Sequence, residues 1–218
     1  MKRMSLKNHR AGRPRSRPRQ RTSSAGRADT PTIENQGLSV LQLNVEGLTI
    51  AKLEVIRHLA VSIKVAVVLL QETHWDSDNN LKLPGFLLAG SIHSKTHGMA
   101  TLVREGLSWT ATSQSPPGCN MEWLVSKIEE TSVVNVYKPP PTALTVSSLP
   151  PVPAPAIYAG DFNCQHKDWR YNRTSQDGEA LSEWASPLTQ KSLQASFLHT
   201  GTLTPTQTWP SPYAVGTT

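Results

Sequence analysis

The pattern of apolar and polar positions in the first part of the chain predicts a strand, a helix and a second strand. Residues 38–44 alternate between apolar and polar side chains and end at Asn44, as expected of a strand. In residues 50–60 the apolar positions recur at helical spacing, and Thr49 stands where an N-cap is preferred. Residues 65–70 form a continuous apolar run, typical of a strand buried on both faces, and Glu72 follows its end. Polar residues at both strand ends argue for functional groups at one edge of a sheet assembly.

The middle of the chain carries short strand patterns separated by turns. The candidate strands are residues 85–90, 99–104, 122–129 and 131–137. The last two are close enough to form a hairpin that turns at Glu129 and Glu130. Lys138 and the prolines after it end the final strand, because proline cannot donate to a strand ladder. Residues 139–155 hold seven prolines, which predicts a stiff connector.

The stretch after this connector combines a strand with polar residues suited to phosphate chemistry. Residues 156–159 are apolar and predict a buried strand, and Gly160 is expected to let the backbone turn tightly after it. Asp161 and Asn163 lie two positions apart and can share one face. A carboxylate can take a proton from water, and an amide can donate to a phosphate oxygen. The alternative is an Asx-turn, in which both side chains only satisfy local backbone groups.

Two further elements are predicted near the end of the chain. Residues 177–190 have the pattern of a helix, and residues 193–198 that of one more strand. No internal repeat of fixed period is present.

Charge is distributed unevenly over the 218 residues, which suit one domain and a tail. Residues 1–30 hold ten Lys or Arg and one acid, a net charge of +9. The other 188 residues hold twelve Lys or Arg and fifteen acids, a net charge of −3 against +6 for the whole chain. Residues 1–32 contain almost nothing apolar, and we expect a disordered basic tail. Its candidate nucleic-acid-binding residues are Arg13, Arg15, Arg17, Arg19 and Arg21.

The basic tail has two interpretations. It could bind DNA or act as a nuclear address, or it could be a solvated leader without a role.

The cysteines and the absence of long apolar runs indicate the cellular compartment. Cys119 and Cys164 neither form a disulfide framework nor have the spacing of metal ligands, which favours a reducing, intracellular compartment. No apolar run approaches the roughly 20 residues that span a membrane, and no secretory signal follows the basic start. We therefore expect an intracellular protein, in the nucleus, with no membrane partner.

Five motifs follow one another along the chain: LNVEGL at 43–48, LQETH at 70–74, GMATLV at 98–103, NVYKPP at 135–140 and GDFN at 160–163, the last followed by His166 and Trp169. In this order they resemble the endonuclease/exonuclease/phosphatase superfamily, and in particular the apurinic-endonuclease-like nuclease domain of non-LTR retrotransposons. The resemblance covers about residues 36–204. Each motif is weak alone, and the five together are specific. We therefore predict a domain over residues 33–204.

The resemblance implies a fold and a site. The fold is α/β, a two-sheet sandwich of the DNase I-like type with helices outside, and the site lies at one rim. Glu72 is then the principal ligand of Mg²⁺ or Mn²⁺, with Asn44 beside the metal and the phosphate. Asp161 orients or deprotonates the attacking water, and Asn163 hydrogen-bonds the phosphate. Tyr137 donates to the charge that develops in the transition state.

Each of these side chains also has a purely structural interpretation. Glu72 can be a solvated strand end, and Tyr137 a rim residue that packs on proline. The motifs also contain residues that we interpret as loop or packing positions, namely His74, His166, Trp75 and Trp169. Either tryptophan could instead face a nucleic-acid strand. The joint pattern favours the functional interpretation.

The chain departs from the family pattern near its end. The family has a further Asp after a Thr-Pro-Thr segment and then a Ser-Asp-His, whereas no acid follows Glu183 here and His199 precedes the expected position. The codons for Thr206 through Pro212, shifted by one base, can encode Asn-Pro-Asp-Leu-Ala-Phe-Ala, which fits the family. We therefore predict a frameshift, an out-of-frame tail over residues 205–218, and a sandwich that lacks its last strands. Loss of an acid-base group costs about 10²- to 10⁴-fold, so we expect little or no turnover.

Three functions remain open at this point. The first is a metal-dependent endonuclease that nicks DNA for a mobile element, in a truncated copy. The second is a repair-type abasic-site endonuclease or another phosphodiesterase of the same fold. The third is a non-catalytic DNA-binding remnant dominated by the basic tail. The sequence does not define the oligomeric state.

Overall fold

The computed structural model describes residues 38–77 and 81–189 of the chain. Its strands are β1 (Val40–Asn44), β2 (Val67–Gln71), β3 (Phe86–Ile92), β4 (Met99–Arg104), β5 (Trp109–Gln114), β6 (Glu122–Ile128), β7 (Thr131–Tyr137) and β8 (Ala156–Asp161). Its α-helices are α1 (Ile50–Ser62) and α2 (Gln176–Thr189), and two short 3₁₀-helices cover Val146–Ser148 and Lys167–Trp169. No helix in these ranges is long and apolar enough to cross a membrane.

The strands form two mixed four-stranded sheets. The first has the order β1-β2-β4-β3 and the second the order β5-β6-β7-β8. The pairs β1/β2 and β7/β8 are parallel, and the other neighbours are antiparallel. Because parallel neighbours run in the same direction, the carboxyl ends of β1 and β2 meet at one edge, and those of β7 and β8 meet likewise.

Apolar side chains fill three layers, which makes the fold a two-sheet α/β sandwich. The central layer lies between the sheets and includes Leu69 and Val103 of the first sheet with Ile128 and Val133 of the second. On the outer face of the first sheet, Leu53, Ile56 and Ala60 of α1 pack against residues of β1, β2 and β4. On the outer face of the second sheet, Leu181 of α2 packs against β6 and β7. This arrangement confirms the predicted fold class.

Most predicted elements are confirmed within a residue or two of their bounds. Thr49 is the N-cap of α1, and its hydroxyl accepts a hydrogen bond from the Lys52 N–H at 3.2 Å. Every side chain of β2 is buried, as the continuous apolar run predicted. β6 and β7 form the predicted hairpin, and Glu129 at its turn has a positive φ of 50°. The predicted tail 1–32, strand 193–198 and out-of-frame segment 205–218 lie outside the described residues.

Two predictions differ from the structure. β5 was not predicted, because five of its six side chains are exposed and no apolar face marks it in the sequence. Gly160 does not turn the chain after the strand; it lies within β8. A Cβ at Gly160 would lie 1.9 Å from the Val136 carbonyl oxygen, so glycine is required by the close approach of β7.

Three buried side-chain amides link the two sheets near the end of β2. The Gln42 amide donates to Gln71 Oε1 at 2.5 Å, and the Gln71 amide donates to Asn135 Oδ1 at 2.5 Å. The Asn135 amide in turn donates to the Ala100 carbonyl at 3.0 Å. Gln71 and Asn135 are completely buried. Because Gln71 precedes Glu72, these bonds fix the end of β2 from which Glu72 extends.

Candidate active site

The ends of four strands place the predicted site residues together at one rim of the sandwich. Asn44 is the last residue of β1 and is paired with Gln71, the last residue of β2. Tyr137 is the last residue of β7 and is paired with Asp161, the last residue of β8. Glu72 follows β2 directly. The parallel strand pairs therefore bring together residues that are far apart in sequence.

The Asn44 amide connects the two carboxylates of the site. Its Nδ2 donates to Glu72 Oε1 at 2.8 Å and to Asp161 Oδ2 at 2.8 Å. Tyr137 donates its hydroxyl to the same Glu72 Oε1 at 2.9 Å. The Glu72 side chain is 19% exposed and Asp161 is 8% exposed, so both carboxylates retain only limited access to solvent. We name Asn44, Glu72, Tyr137 and Asp161 the rim cluster.

A left-handed backbone conformation directs the Glu72 side chain toward the other residues of the rim cluster. Glu72 has φ 53° and His74 has φ 55°, a left-handed conformation that costs energy for a residue with a Cβ. The Thr73 N–H donates to the Gly98 carbonyl at 3.1 Å, and the His74 N–H donates to the His97 carbonyl at 2.7 Å. These bonds hold the segment after β2 against the start of β4 and stabilise the strained turn.

Asp161 forms the predicted Asx-turn and also contacts the rim cluster. Asp161 Oδ1 accepts the Asn163 N–H at 3.0 Å, as in an Asx-turn. At the same time Asp161 Oδ2 belongs to the rim cluster. Asn163 is exposed, has φ 46°, and donates its amide to the Lys138 carbonyl at 2.8 Å. Asn163 therefore lies beside the rim cluster and contacts it through its backbone.

Tyr137 is a buried member of the rim cluster, and its hydroxyl also lies near His97, a residue that the sequence did not point to. Its hydroxyl lies 3.4 Å from His97 Nδ1, and the two rings are 5.4 Å apart. Burial, followed by the hydrogen bond to Glu72 and the negative charges nearby, raises the pKa of Tyr137 well above its usual value. The phenol is therefore a donor at neutral pH. His97 sits in the loop before β4, where no local pattern marks it.

The other motif residues take structural positions around the site. His74 Nε2 lies 3.8 Å from Glu72 Oε2, which places this histidine at the edge of the rim cluster. His166 is buried, and its Nδ1 accepts the Asp168 N–H at the start of a 3₁₀-helix. Trp75 packs on the core under α1 and donates its indole N–H to the Leu48 carbonyl at 2.7 Å. Trp169 packs on the core under α2. The five tail arginines lie outside the described residues.

The donor set of the rim cluster fits a hard divalent cation. Glu72 and Asp161 supply carboxylate oxygens, which suit Mg²⁺ or Mn²⁺. The Asn44 amide turns its Nδ2 toward them and its Oδ1 toward the Glu46 N–H, so it presents no oxygen to an ion between the two carboxylates. In the described part of the chain, no group of three or more His, Cys, Asp or Glu residues could hold a metal ion. The two carboxylates therefore fit an ion that keeps several waters, as Mg²⁺ does.

Comparisons with known proteins identify the family of this chain and solved structures that are similar to it. The profile of the Endonuclease/Exonuclease/phosphatase family matches residues 41–217. The chain is similar to the endonuclease domain of TRAS1, a telomere-specific non-LTR retrotransposon, with 19% identity and a TM-score of 0.52 over 69% of this chain and 71% of that one. It is also similar to an AP endonuclease from Archaeoglobus fulgidus, with 16% identity and a TM-score of 0.44 over 70% and 71% of the two chains. No curated protein matches it.

A third similar structure is truncated TDP2 from Caenorhabditis elegans, with 13% identity and a TM-score of 0.43 over 66% of this chain and 69% of that one. The architecture is the two-sheet α/β sandwich of the DNase I-like type. The chain belongs to the Endonuclease/Exonuclease/phosphatase family.

Proposed function

We propose that this chain is a DNA endonuclease domain of a retrotransposon-like element, which hydrolyses phosphodiester bonds with Mg²⁺ or Mn²⁺. The observation that carries the proposal is the Asn44 amide shared by Glu72 and Asp161, with the Tyr137 hydroxyl on the same Glu72 oxygen. A packed core does not require two carboxylates around one amide. Hydrolysis of a phosphodiester does require a proton acceptor and a donor beside the phosphate. The fold shared with TRAS1 supports the retrotransposon assignment.

Each residue of the rim cluster has a role in this proposal. Asp161 accepts the proton of the attacking water, because its two oxygens are fixed by Asn44 and by the Asn163 N–H. Tyr137 donates to the charge that develops on the phosphate, and its raised pKa keeps it protonated for that purpose. Glu72 would hold the divalent cation, which would supply Lewis-acid stabilisation of the phosphate when bound, and Asn44 lies beside it and donates to Glu72.

Asn163 and the tail complete the proposed contacts with DNA. One N–H of the Asn163 amide donates to the Lys138 carbonyl, and we assign the second N–H of that amide to a phosphate oxygen. The basic residues between Arg13 and Arg21 bind the DNA backbone without sequence preference and direct the protein to the nucleus.

A plasmid-nicking assay tests the proposal. Supercoiled plasmid is incubated with the full chain and Mg²⁺, with Mn²⁺, or with EDTA, and compared with the Glu72→Ala and Asp161→Ala variants. We expect slow, metal-dependent nicking that both substitutions abolish. An exposed acid remote from the rim, Glu130, provides the control, and Glu130→Ala should nick at the wild-type rate.

The other outcomes separate the alternatives. Cleavage confined to a duplex with an abasic site identifies a repair-type enzyme. Salt-sensitive DNA binding without any nicking contradicts an active nuclease and identifies a non-catalytic remnant. Nicking that survives Glu72→Ala and Asp161→Ala refutes the assignment of the rim cluster.

A further inference from the structure

Lys52 makes an unusual set of contacts in the first turn of α1. Its ammonium donates to three consecutive carbonyls of the loop after β1: Val45 at 2.7 Å, Glu46 at 3.0 Å and Gly47 at 2.9 Å. An ammonium carries three N–H donors and no acceptor, so this loop satisfies all of them. We propose that Lys52 is a positioning residue of the rim cluster, which fixes the direction of the Asn44 amide.

The N–H groups of the same three peptide groups donate to the Asn44 side chain and to the carbonyls of Glu72 and Thr73. The Glu46 N–H, which shares a peptide group with the Val45 carbonyl, donates to Asn44 Oδ1 at 3.1 Å. The Gly47 N–H donates to the Glu72 carbonyl at 2.8 Å, and the Leu48 N–H donates to the Thr73 carbonyl at 2.9 Å. Because a peptide group is planar and rigid, a carbonyl held at one end fixes the N–H at the other. Lys52 therefore controls three bonds that end on or beside Asn44 and Glu72.

The Asn44 amide illustrates how this control reaches the carboxylates. Its Oδ1 accepts the Glu46 N–H, so its Nδ2 must point the other way, toward Glu72 and Asp161. Without Lys52, the Val45 carbonyl would lack its ammonium donor and the peptide group that it shares with Glu46 could rotate. The amide would then lose the bond that orients it. Glu46 at φ 42° and Gly47 at φ 82° bring the three carbonyls to one point, a conformation that needs this support.

The geometry is specific for lysine. An ammonium directs its donors over a cone that matches three converging carbonyls, whereas a guanidinium spreads its donors in one plane. The hydroxyl of Thr49, the N-cap of α1, accepts a hydrogen bond from the Lys52 N–H. This bond fixes the first turn of the helix, from which the Lys52 side chain extends back to the loop after β1. Arginine at this position would keep the charge and lose the three-way contact.

This inference deepens the proposed function, because the Asn44 amide and the loop that Lys52 holds both donate to Glu72, the residue assigned to the divalent cation. Mn²⁺ affinity of the full chain is therefore measured by calorimetry for wild type, Lys52→Met, Lys52→Arg and the control Lys127→Met. Lys127 is an exposed lysine paired with Glu130 at the β6–β7 hairpin. Loss of a residue that orients a metal ligand typically weakens metal affinity by about 10- to 100-fold. We expect that loss for Lys52→Met, a comparable loss for Lys52→Arg, and no change for Lys127→Met.

A second readout does not depend on metal. The side-chain amide of Asn44 is assigned by comparing the NMR spectra of wild type and Asn44→Asp, and its resonances are followed in each variant without any metal ion. We expect both Lys52 variants to shift these resonances toward values of a solvent-exposed amide, at a temperature where thermal unfolding shows each variant folded. If Lys52→Met fails to fold, Lys52→Arg carries both measurements.

The outcomes distinguish this inference from the proposed function. A wild-type chain that does not bind Mn²⁺ contradicts the cation assignment, and the NMR readout still decides the role of Lys52. Wild-type amide resonances in both Lys52 variants overturn the positioning role, whatever the metal does. Full Mn²⁺ affinity in Lys52→Arg overturns the requirement for three converging donors.

Discussion

Asn44 and Asp161, separated by 117 positions in the sequence, are joined by a hydrogen bond of 2.8 Å. Asn44 ends a strand of the first sheet and Asp161 ends a strand of the second, so this bond closes the sandwich at the rim. The same amide nitrogen also donates to Glu72. The carboxylates of Glu72 and Asp161 would repel each other, and the neutral Asn44 amide donates to both. A bound cation could hold the two carboxylates together in place of this amide.

Asn44→Asp should make the stability of the protein depend on divalent metal. The substitution removes both donors and adds a third carboxylate. Bonds to charged groups contribute roughly 1.5–3 kcal/mol each, and like charges repel, so we expect the metal-free free energy of unfolding to fall by about 2–4 kcal/mol. Urea unfolding in EDTA and in Mg²⁺ measures this. A metal concentration of 100 times Kd should restore about 2.7 kcal/mol.

Asn120→Asp is the matched control for this experiment, because Asn120 is exposed in the loop before β6. Its unfolding should be the same as that of wild type with and without Mg²⁺. Unchanged metal-free stability in Asn44→Asp would show that the amide does not hold the two carboxylates together.

Tyr137→Phe should slow nicking while leaving the fold intact. The ring stays in the core, and the lost bond to Glu72 costs about 1–2 kcal/mol of unfolding free energy. Loss of a donor to the developing charge typically slows catalysis by about 10²- to 10³-fold. Since burial and Glu72 raise the pKa of Tyr137, we expect no fall in the nicking rate from its ionisation between about pH 7 and pH 9.

Tyr158→Phe provides the comparison for Tyr137→Phe. Tyr158 donates to the Pro150 carbonyl at 2.6 Å beneath α2, away from the rim cluster. Loss of this hydrogen bond should lower the free energy of unfolding by about as much as Tyr137→Phe does and should leave the nicking rate unchanged. Equal nicking by the two variants would remove Tyr137 from the catalytic assignment.

The strand ends could be predicted from sequence because their signals are local. The apolar runs before Asn44, Glu72 and Asp161 mark where β1, β2 and β8 end, and the prolines after Tyr137 mark the end of β7. Once the fold is a sandwich, parallel neighbours bring these ends together. The motifs thus predicted the members of the rim cluster.

The contacts that orient the cluster could not be predicted, because each joins residues that carry no local pattern. Lys138 was interpreted only as the end of a strand, yet its side chain is buried at 1% exposure. Gln71 and Asn135 occupy strand positions that apolar residues usually fill, and their 64-residue separation hides the bond between them. His97 lies in a loop between two strands. Such partners become visible only when both sheets are assembled.

The buried pair of Lys138 and Asp177 should contribute strongly to stability. Lys138 Nζ lies 3.1 Å from Asp177 Oδ2 and donates to the Thr142 carbonyl at 2.6 Å. Asp177 lies in the first turn of α2, so the pair ties this helix to the end of β7. Lys138→Met leaves a partly buried carboxylate without its partner, and we expect a loss of about 3–5 kcal/mol. Asp177→Asn and the double variant complete a double-mutant cycle, which measures the coupling energy between Lys138 and Asp177.

An exposed ion pair in the same chain serves as the control. Lys95 and Asp76 are 3.7 Å apart, with 81% and 68% of their side chains exposed. Solvent screens such a pair, and Lys95→Met should change stability by about 0–1 kcal/mol. Equal effects of Lys138→Met and Lys95→Met in urea unfolding would show that burial does not strengthen the Lys138 pair.

Glu122→Gln should stabilise the protein at neutral pH and change how its stability depends on pH. Glu122 faces Tyr137 across the β6–β7 pair, and its Oε2 has no hydrogen-bond partner. Burial raises the pKa of Glu122 above its usual 4.5, although the charge of His97 and the Gly98 N–H act in the opposite direction. The folded state therefore binds this proton more tightly than the unfolded state does.

The sign of the effect follows from that difference in proton binding. As pH rises from about 4.5 through the raised pKa, wild type loses stability, because the buried side chain must become charged. Glutamine does not ionise, so the gain in unfolding free energy from Glu122→Gln should be small near pH 4.5 and should grow as the pH rises to 7. We expect at most about 1 kcal/mol at pH 7, because the side chain is partly exposed and solvent screens its charge. Urea midpoints between about pH 4.5 and pH 7.5 measure this difference. Glu130→Gln, at a carboxylate with 91% exposure, should show no such growth, and a constant difference for Glu122→Gln would refute the buried-charge explanation.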